Sequence, residues 1–179
     1  MTGAPPLSAA LQQLARWRVP LGFFVGAAAV LLAAPTPTSL VIGLSIACVG
    51  QTLRIWAAGH LEKGRELTRS GPYRWMRHPL YVGSTLLAAG ATLASGSLWV
   101  ALIAAMYLIF TVGAAIASEE AFLRERFGVA HAQWRAGTHT ERGRSFSWRR
   151  AMVQNREYRS VIGLAAIAAL FAVRAGLLR

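Results

Sequence analysis

Aspartate is absent from this 179-residue sequence, and cysteine and lysine occur once each, as Cys48 and Lys63. A lone cysteine cannot form an internal disulfide, and here it lies inside an apolar span. A Ser-His-Asp triad cannot be assembled without aspartate, and no strained nucleophile motif is present. The four histidines have no cysteine or paired-histidine spacing that would close a zinc site, so we expect no metal centre.

Charged residues of either sign are scarce, at 15% against 55% hydrophobic residues. A soluble domain carries about a quarter charged residues, and here the apolar residues form long blocks, which is typical of an integral membrane protein. The net charge is +12, and all but one of the 19 basic residues are arginine. A basic balance can indicate nucleic-acid binding. These arginines, however, cluster in loops between apolar spans, where orientation in the membrane explains them, so no nucleic-acid partner is expected.

The apolar blocks predict an all-α, polytopic transmembrane bundle. Four spans cover residues 19–34, 39–58, 79–94 and 98–117. A fifth block, residues 161–173, would reach only about 20 Å as a helix, so it either crosses or lies in the interface. We therefore predict four to five spanning helices in a single domain, residues 1–179. Its parts are a first helical hairpin (1–58), a cofactor-binding core (59–135), and a basic segment with the last apolar helix (136–179).

The loops predict the orientation of the bundle. Residues 35–38 and 95–97 carry no charge, whereas residues 59–79 contain five Lys or Arg and residues 118–160 contain nine Arg. Positive charge is retained on the cytoplasmic side of membranes. The two charged loops should therefore face the cytoplasm. Arg54, near the cytoplasmic end of the second span, is expected to snorkel toward that surface.

The segment from Arg77 to Gly83 places charge at the start of a helix. Pro79 suits a first helical position, so Arg77 and His78 should lie beside the free N–H groups and the positive dipole end of that helix. Such an edge favours an anionic group, for example a carboxylate. Tyr81, in the first turn, can offer a hydroxyl or a ring face. The alternative interpretation is a membrane anchor with interfacial aromatic residues.

Glu119 and Glu120 follow the fourth span directly. The helix dipole disfavours carboxylates at a C-terminus, so the pair indicates either a cationic partner or a helix that continues out of the membrane through Phe127. The acidic pair and the Arg77–Gly83 edge both lie on the predicted cytoplasmic side. Together they suit a zwitterionic ligand with an amino-acid end.

These motifs carry a resemblance to a known family. The segments are Leu67–Tyr73, Arg77–Gly83, the Glu119-Glu120 pair and Phe127-Gly128. With this spacing, the region of about residues 50–135 resembles the isoprenylcysteine carboxyl methyltransferases, which are grouped with the phospholipid N-methyltransferases among integral membrane methyltransferases. The pattern departs from the family after Gly128, where His131 and Trp134 stand at the usual tyrosine positions.

The resemblance implies a membrane enzyme that uses S-adenosylmethionine at a cytoplasmic-side site. The residues expected to hold the cofactor are Leu67, Gly71, Tyr73, His78, Pro79, Tyr81, Gly83, Glu119 and Glu120. As catalytic residues we predict Arg77, which would orient an anionic acceptor, and Glu120, which would pair with the cationic part of the cofactor or with an amine acceptor.

The expected activity is methyl transfer to a lipophilic or amphipathic acceptor drawn from the membrane. The acceptor atom, whether of a carboxylate, an amine or a thiol, is left open, as is the oligomeric state. One alternative is a reductase of the sterol-reductase type that uses NADPH. Pro79-Leu80 before Tyr81 and Ser84 after Gly83 favour the methyltransferase over that class. A non-catalytic membrane subunit with the same fold is the other alternative.

Overall fold

The computed structural model describes residues 9–136 and 144–176, and every regular element in these two ranges is helical. The five α-helices are α1 (Ala9–Leu32), α2 (Pro37–His60), α3 (Pro79–Ser95), α4 (Leu98–Ala136) and α5 (Tyr158–Arg174). A short 3-10 helix (Gly71–Arg74) precedes α3, and a π-helix (Arg150–Gln154) precedes α5. The all-α prediction is thus confirmed for the described ranges.

Two helices in the described ranges, α2 and α4, are long and apolar enough to cross a membrane. The apolar part of α1, Pro20–Leu32, is shorter. Large apolar side chains face outward on several helices, including Phe23, Val41 and Ile109. Exposed apolar surface of this extent marks an interaction with lipid or with another protein.

Helices α3 and α4 begin at the predicted residues 79 and 98, whereas α2 begins at Pro37 and α1 at Ala9, both before the predicted spans. Thr36 caps α2 by accepting a hydrogen bond from the Ser39 amide at 3.1 Å, and the Ser39 hydroxyl oxygen accepts one from the Thr36 amide at 2.9 Å. Reciprocal bonds of this kind satisfy two amides that a helix start leaves unpaired. Pro79 begins α3, and Gly96 ends it with a φ of +62° that favours glycine.

Helices α2 and α3 contact each other through backbone along a glycine seam, defined here as Gly43 and Gly50 of α2 with Gly83 and Gly90 of α3. A Cβ atom on Gly50 would lie 2.7 Å from the Gly83 carbonyl oxygen, and one on Gly83 would lie 2.8 Å from the Gly50 carbonyl oxygen. These distances leave no room for a side chain. The seam shows that these small residues serve close packing within one chain.

We call one end of the bundle the uncharged end, because its two interhelical turns carry no charged residue, and the opposite end the charged end. The α1–α2 and α3–α4 turns meet at the first, where the Ala34 amide donates to the Ser95 carbonyl oxygen at 2.8 Å. Helix α5 connects the two ends. At its start the carboxylate of Glu157 pairs with Arg54 of α2, and at its end the guanidinium of Arg174 donates to the carbonyl oxygen of Val30 at 2.8 Å. Helix α5 therefore runs along the whole height of the bundle.

Helix α4 continues past the acidic pair, which confirms the interpretation of a continuing helix. Its helical dihedral angles break at Gly128, with φ +48° and ψ −116°. A straight helix would separate Glu120 from His131 by about 16 Å. The His131 Nε2 atom instead lies 3.4 Å from a Glu120 carboxylate oxygen. The break at Gly128 thus folds the end of α4 back toward the acidic pair.

Candidate active site

A cavity of about 750 Å³ opens at the charged end of the bundle. Its walls are the last turns of α2, the start of α3, the middle of α4 and residues 154–157. Cavities that hold small ligands commonly measure about 300–1,000 Å³. The cavity is therefore large enough for a cofactor or for part of an amphipathic molecule.

Five of the residues predicted for the site line this cavity: Tyr73, Arg77, His78, Tyr81 and Glu119. The predicted Arg77–Gly83 edge and the acidic pair thus meet in three dimensions, although about 40 residues separate them along the chain. The rings of His78 and Tyr81 lie 5.9 Å apart between centroids.

The other predicted residues support the cavity from outside its lining. Leu67 is buried, and Pro79 forms the buried first turn of α3. Gly71 has a φ of +58° and is covered by the His60 ring, and Gly83 belongs to the glycine seam. For these four residues, the structure gives a packing reason for the motif; direct contact with a cofactor stays a prediction.

Glu120 lies between two histidines. One of its carboxylate oxygens is 3.2 Å from His78 Nε2, and the other is 3.4 Å from His131 Nε2. Both contacts are ion-pair distances and not hydrogen bonds, and His131 is buried. Trp134 stacks on His131 and donates its indole N–H to the Thr68 carbonyl oxygen at 3.2 Å. The folded-back end of α4 therefore holds the acidic pair against the start of α3.

Tyr73 and Glu119 both line the cavity. Burial raises the pKa of Tyr73 well above its usual value, and the negative charge of Glu119 raises it further. Tyr73 is consequently a neutral hydroxyl throughout the physiological range. Glu119 forms no ion pair with any residue that the structure describes, so its charge is available to a cationic ligand.

One charged pair that lines the cavity, Arg54 with Glu157, was not predicted as part of the site. Arg54 donates from Nε and Nη2 to the two carboxylate oxygens of Glu157, at 3.0 Å and 2.8 Å, and from Nη1 to the Ser84 hydroxyl. Ser160 adds a bond to Glu157 at 2.9 Å. The prediction that Arg54 snorkels is wrong, because this guanidinium is paired inside the protein and its side chain is 22% exposed. The sequence signal that could have identified Arg54 as a site residue is a charged residue inside an apolar span.

Residues 144–157, which we call the docking segment, close the cavity on the side of α5. Arg144 forms ion pairs with Glu62 and with Glu66, the latter at 2.6 Å. The Asn155 side chain donates to the carbonyl oxygens of Ala58 and Leu61 at 2.8 Å and 3.0 Å. These bonds satisfy carbonyl groups that the C-terminus of α2 leaves unpaired. The predicted basic segment is thus fixed to α2 in its described part; residues 137–143 lie outside the described ranges.

Comparison with known proteins assigns the chain to a family. A model of the phospholipid methyltransferases matches residues 23–130. The chain belongs to the phospholipid methyltransferase family. This family is part of the integral membrane methyltransferase superfamily, so the resemblance identified from the motifs is confirmed. The match covers every wall of the cavity except residues 154–157 of the docking segment.

Two curated proteins are similar to part of the chain. A cobalt-zinc-cadmium resistance protein, CzcN, of Cupriavidus metallidurans is 36% identical over 88 residues, which is 48% of this chain and 39% of that protein. A nickel-cobalt-cadmium resistance protein, NccN, of Alcaligenes xylosoxydans xylosoxydans is 34% identical over the same length, 40% of its own chain. The chain thus spans about two fifths of the length of these relatives. No solved structure gives a significant match.

Proposed function

We propose that the cavity binds S-adenosylmethionine and transfers its methyl group to a lipophilic or amphipathic acceptor at the cytoplasmic face of a membrane. One observation supports the proposal most directly. In a chain of a methyltransferase family, a single cavity is lined both by the Arg77–Gly83 edge and by the carboxylate of Glu119, which has no ion pair with a described residue. No corresponding observation favours a nicotinamide-dependent reductase or a non-catalytic subunit.

The residues of the cavity fit this cofactor chemically. S-adenosylmethionine supplies a methyl group on a cationic sulfur, beside an ammonium and a carboxylate group. Glu119 offers a negative charge in a partly enclosed site, where a cation is held more strongly than in water. The Tyr73 and Tyr81 rings offer faces for a cation or for a flat ring system. His78, at the start of α3, adjoins the positive dipole end that favours a carboxylate.

His78 and Glu120 also suit a proton transfer. If Nε2 of His78 carries the proton that faces Glu120, 3.2 Å away, Nδ1 is the nitrogen that carries the lone pair. An amine or thiol acceptor must lose a proton, and His78 would accept it while Glu120 fixes the tautomer. Glu120 would then act through His78 as a positioning residue. A carboxylate acceptor needs no base, and Arg77 would orient it.

The acceptor would enter from the membrane, and the cofactor from the cytoplasm. Helix α5 reaches the height of the bundle, and its 17 residues correspond to about 25 Å. We therefore infer that five helices cross, with the cavity on the cytoplasmic side. The arginine-rich docking segment forms the wall nearest that surface, as the charge rule for membrane loops requires.

Cysteine labelling tests the orientation. In a Cys48→Ala background, Arg65→Cys and Arg149→Cys should resist a membrane-impermeant thiol reagent in intact cells, whereas Thr38→Cys, at the uncharged end, should react. All three residues are exposed, so burial does not explain protection. Labelling of the first two and protection of the third would reverse the orientation.

The names of the two relatives describe resistance to metal ions and state no reaction, so the proposed activity rests on the family and on the cavity. The purified protein in neutral detergent should bind S-adenosylmethionine and not NADPH, as measured by calorimetry. It should methylate long-chain acids, amines or thiols in preference to their short polar counterparts. Binding of NADPH alone would replace methyl transfer with the reductase alternative. Equal methylation of short and long acceptors would exclude entry from the membrane.

A further inference from the structure

Three exposed cationic side chains from two separate segments line the cavity. We call Lys63, Arg77 and Arg156 the cationic rim; the first two come from the α2–α3 connection and the third from the docking segment. None of them forms an ion pair with a residue that the structure describes. The Arg77 side chain donates one hydrogen bond, at 3.4 Å, to the Arg135 carbonyl oxygen.

The carboxylates that flank Lys63 in sequence are neutralised by the docking segment. Glu62 and Glu66 flank Lys63, and both pair with Arg144 of the docking segment. Arg150 is a further partner of Glu62, at 3.8 Å. The docking segment therefore removes the counterions of Lys63 and adds Arg156 to the same cavity. Several like charges in one cleft raise the local concentration of an opposite charge.

The backbone at Arg156 gives an independent reason to assign it a role. Its φ is +57°, the only positive φ of a residue other than glycine in the described ranges. A left-handed conformation is costly for a residue with a Cβ atom, and such strain is concentrated at functional sites. Glycine would fit this position better. The conformation directs an arginine to the cavity at the expense of local stability.

We propose that the cationic rim is an anion-binding subsite that holds the phosphate or carboxylate group of the acceptor. The inference rests on the proposed methyl transfer. A carboxylate is also present in the cofactor, but Arg156 lies outside residues 23–130, the region matched by the family, in which a shared cofactor site is expected. A headgroup at the membrane surface would meet the exposed rim first. The subsite would thus select acceptors with an anionic headgroup.

Calorimetry in neutral detergent tests the subsite with dihexanoyl phosphatidic acid and, as an uncharged counterpart, dihexanoylglycerol. The full chain should bind the first more tightly than the second. Arg156→Ala should weaken phosphatidic acid binding about tenfold, the loss expected for one charge-assisted hydrogen bond. Arg149→Ala removes the same charge from an exposed site on the docking segment that does not line the cavity, and it should change affinity by less than about twofold. Equal losses in the two variants would overturn the proposal in favour of diffuse surface charge.

Two further measurements separate the source of the anion from a structural effect. Arg156→Ala should leave the affinity for S-adenosylmethionine unchanged; a loss of cofactor affinity with unchanged phosphatidic acid binding would overturn the assignment to the acceptor. Arg156→Gly should weaken phosphatidic acid binding equally while raising the melting temperature by about 2–4 °C, because it relieves the strain. A fall in both quantities would mark Arg156 as structural. If the wild-type chain bound phosphatidic acid through the rim but not S-adenosylmethionine, the subsite would stand and the proposed methyl transfer would fail.

Discussion

Helices α2 and α3 pack closely against each other at one end and line a polar cavity at the other. Toward the uncharged end, Gly43 and Gly90 bring the backbones into direct contact and leave no space for a ligand. Beyond Gly50 and Gly83, the same helices carry Arg54 and Ser84, and a cavity opens between them and α4. The comparison indicates that the packed end supplies the rigidity on which the polar end depends.

The polar end needs that support because burying its charged groups costs free energy. Arg54 and Glu157 are removed from water, and the cost of burying two charges is offset only when their geometry is favourable. The two bonds between Arg54 and Glu157, with the hydroxyls of Ser84 and Ser160, provide that geometry. If the packed end failed, the two charges would lose their alignment. Substitutions at the packed end should therefore have the largest effects.

Gly90→Leu should disrupt the bundle. A Cβ atom at this position would lie 2.5 Å from the Gly43 carbonyl oxygen and 2.8 Å from Ala47 Cα, and backbone atoms cannot move aside as a side chain can. We expect a loss of at least about 3 kcal/mol in the free energy of unfolding. Size-exclusion chromatography and thermal unfolding in detergent measure it. Gly113→Leu, in α4 with no described atom near, is the matched control, and equal effects would contradict the seam.

Glu157→Gln should destabilise the polar end by about 3 kcal/mol. The substitution leaves the guanidinium of Arg54 partly buried without a counterion, which is the costly half of a broken buried pair. Replacing both residues, as Arg54→Met with Glu157→Met, should restore most of the stability. Chemical unfolding of the single and double variants checks this. A loss below about 1 kcal/mol in the single variant would mean that the pair behaves as a surface ion pair.

Gly128→Ala should cost about 2 kcal/mol and loosen the acidic pair. No described atom lies within 4 Å of the position of the added Cβ, so the cost is purely one of backbone conformation. We expect His131 and Trp134 to leave Glu120, with an increase in tryptophan exposure to acrylamide quenching. Unchanged quenching together with unchanged stability would show that the break does not depend on glycine.

Tyr73→Phe should change the free energy of unfolding less than the substitutions above, and only at high pH. The raised pKa of Tyr73 means that the folded protein retains the phenolic proton while the unfolded chain releases it near pH 10. Stability is therefore unaffected below about pH 10 and falls as the pH rises above it, because the unfolded state then binds fewer protons. Tyr73→Phe should flatten this fall between about pH 9 and 11. An equal fall in stability with pH in the wild-type and Tyr73→Phe proteins would contradict the burial of Tyr73.

The packed end was largely predictable from the sequence, because its signals are local. Pro37 marks where α2 begins, and glycines at helical spacing indicate which faces approach closely. At the polar end, Tyr73, His78 and Glu119 were predictable for the same reason, because they belong to short motifs. The structure brings these three residues together in the cavity.

The Arg54–Glu157 pair and the contact of His131 with Glu120 could not be predicted from local signals. Glu157 lies 103 residues from Arg54, and no spacing rule links a carboxylate to a partner so far along the chain. His131 reaches Glu120 only because α4 breaks at Gly128, and a uniform helical pattern would place the two residues three turns apart. Long-range ion pairs and backbone breaks are decided by tertiary packing, which periodicity does not encode.

The most direct test of the account is to find where S-adenosylmethionine touches the protein. Radiolabelled cofactor crosslinked to the purified chain by ultraviolet light, with mapping of the labelled peptides after digestion, measures this. We predict label within residues 73–84 or 118–122, and loss of that label in a Glu119→Gln variant that remains folded. Label confined to peptides that do not line the cavity, or labelling unaffected by Glu119→Gln, would contradict the assignment of this cavity as the cofactor site.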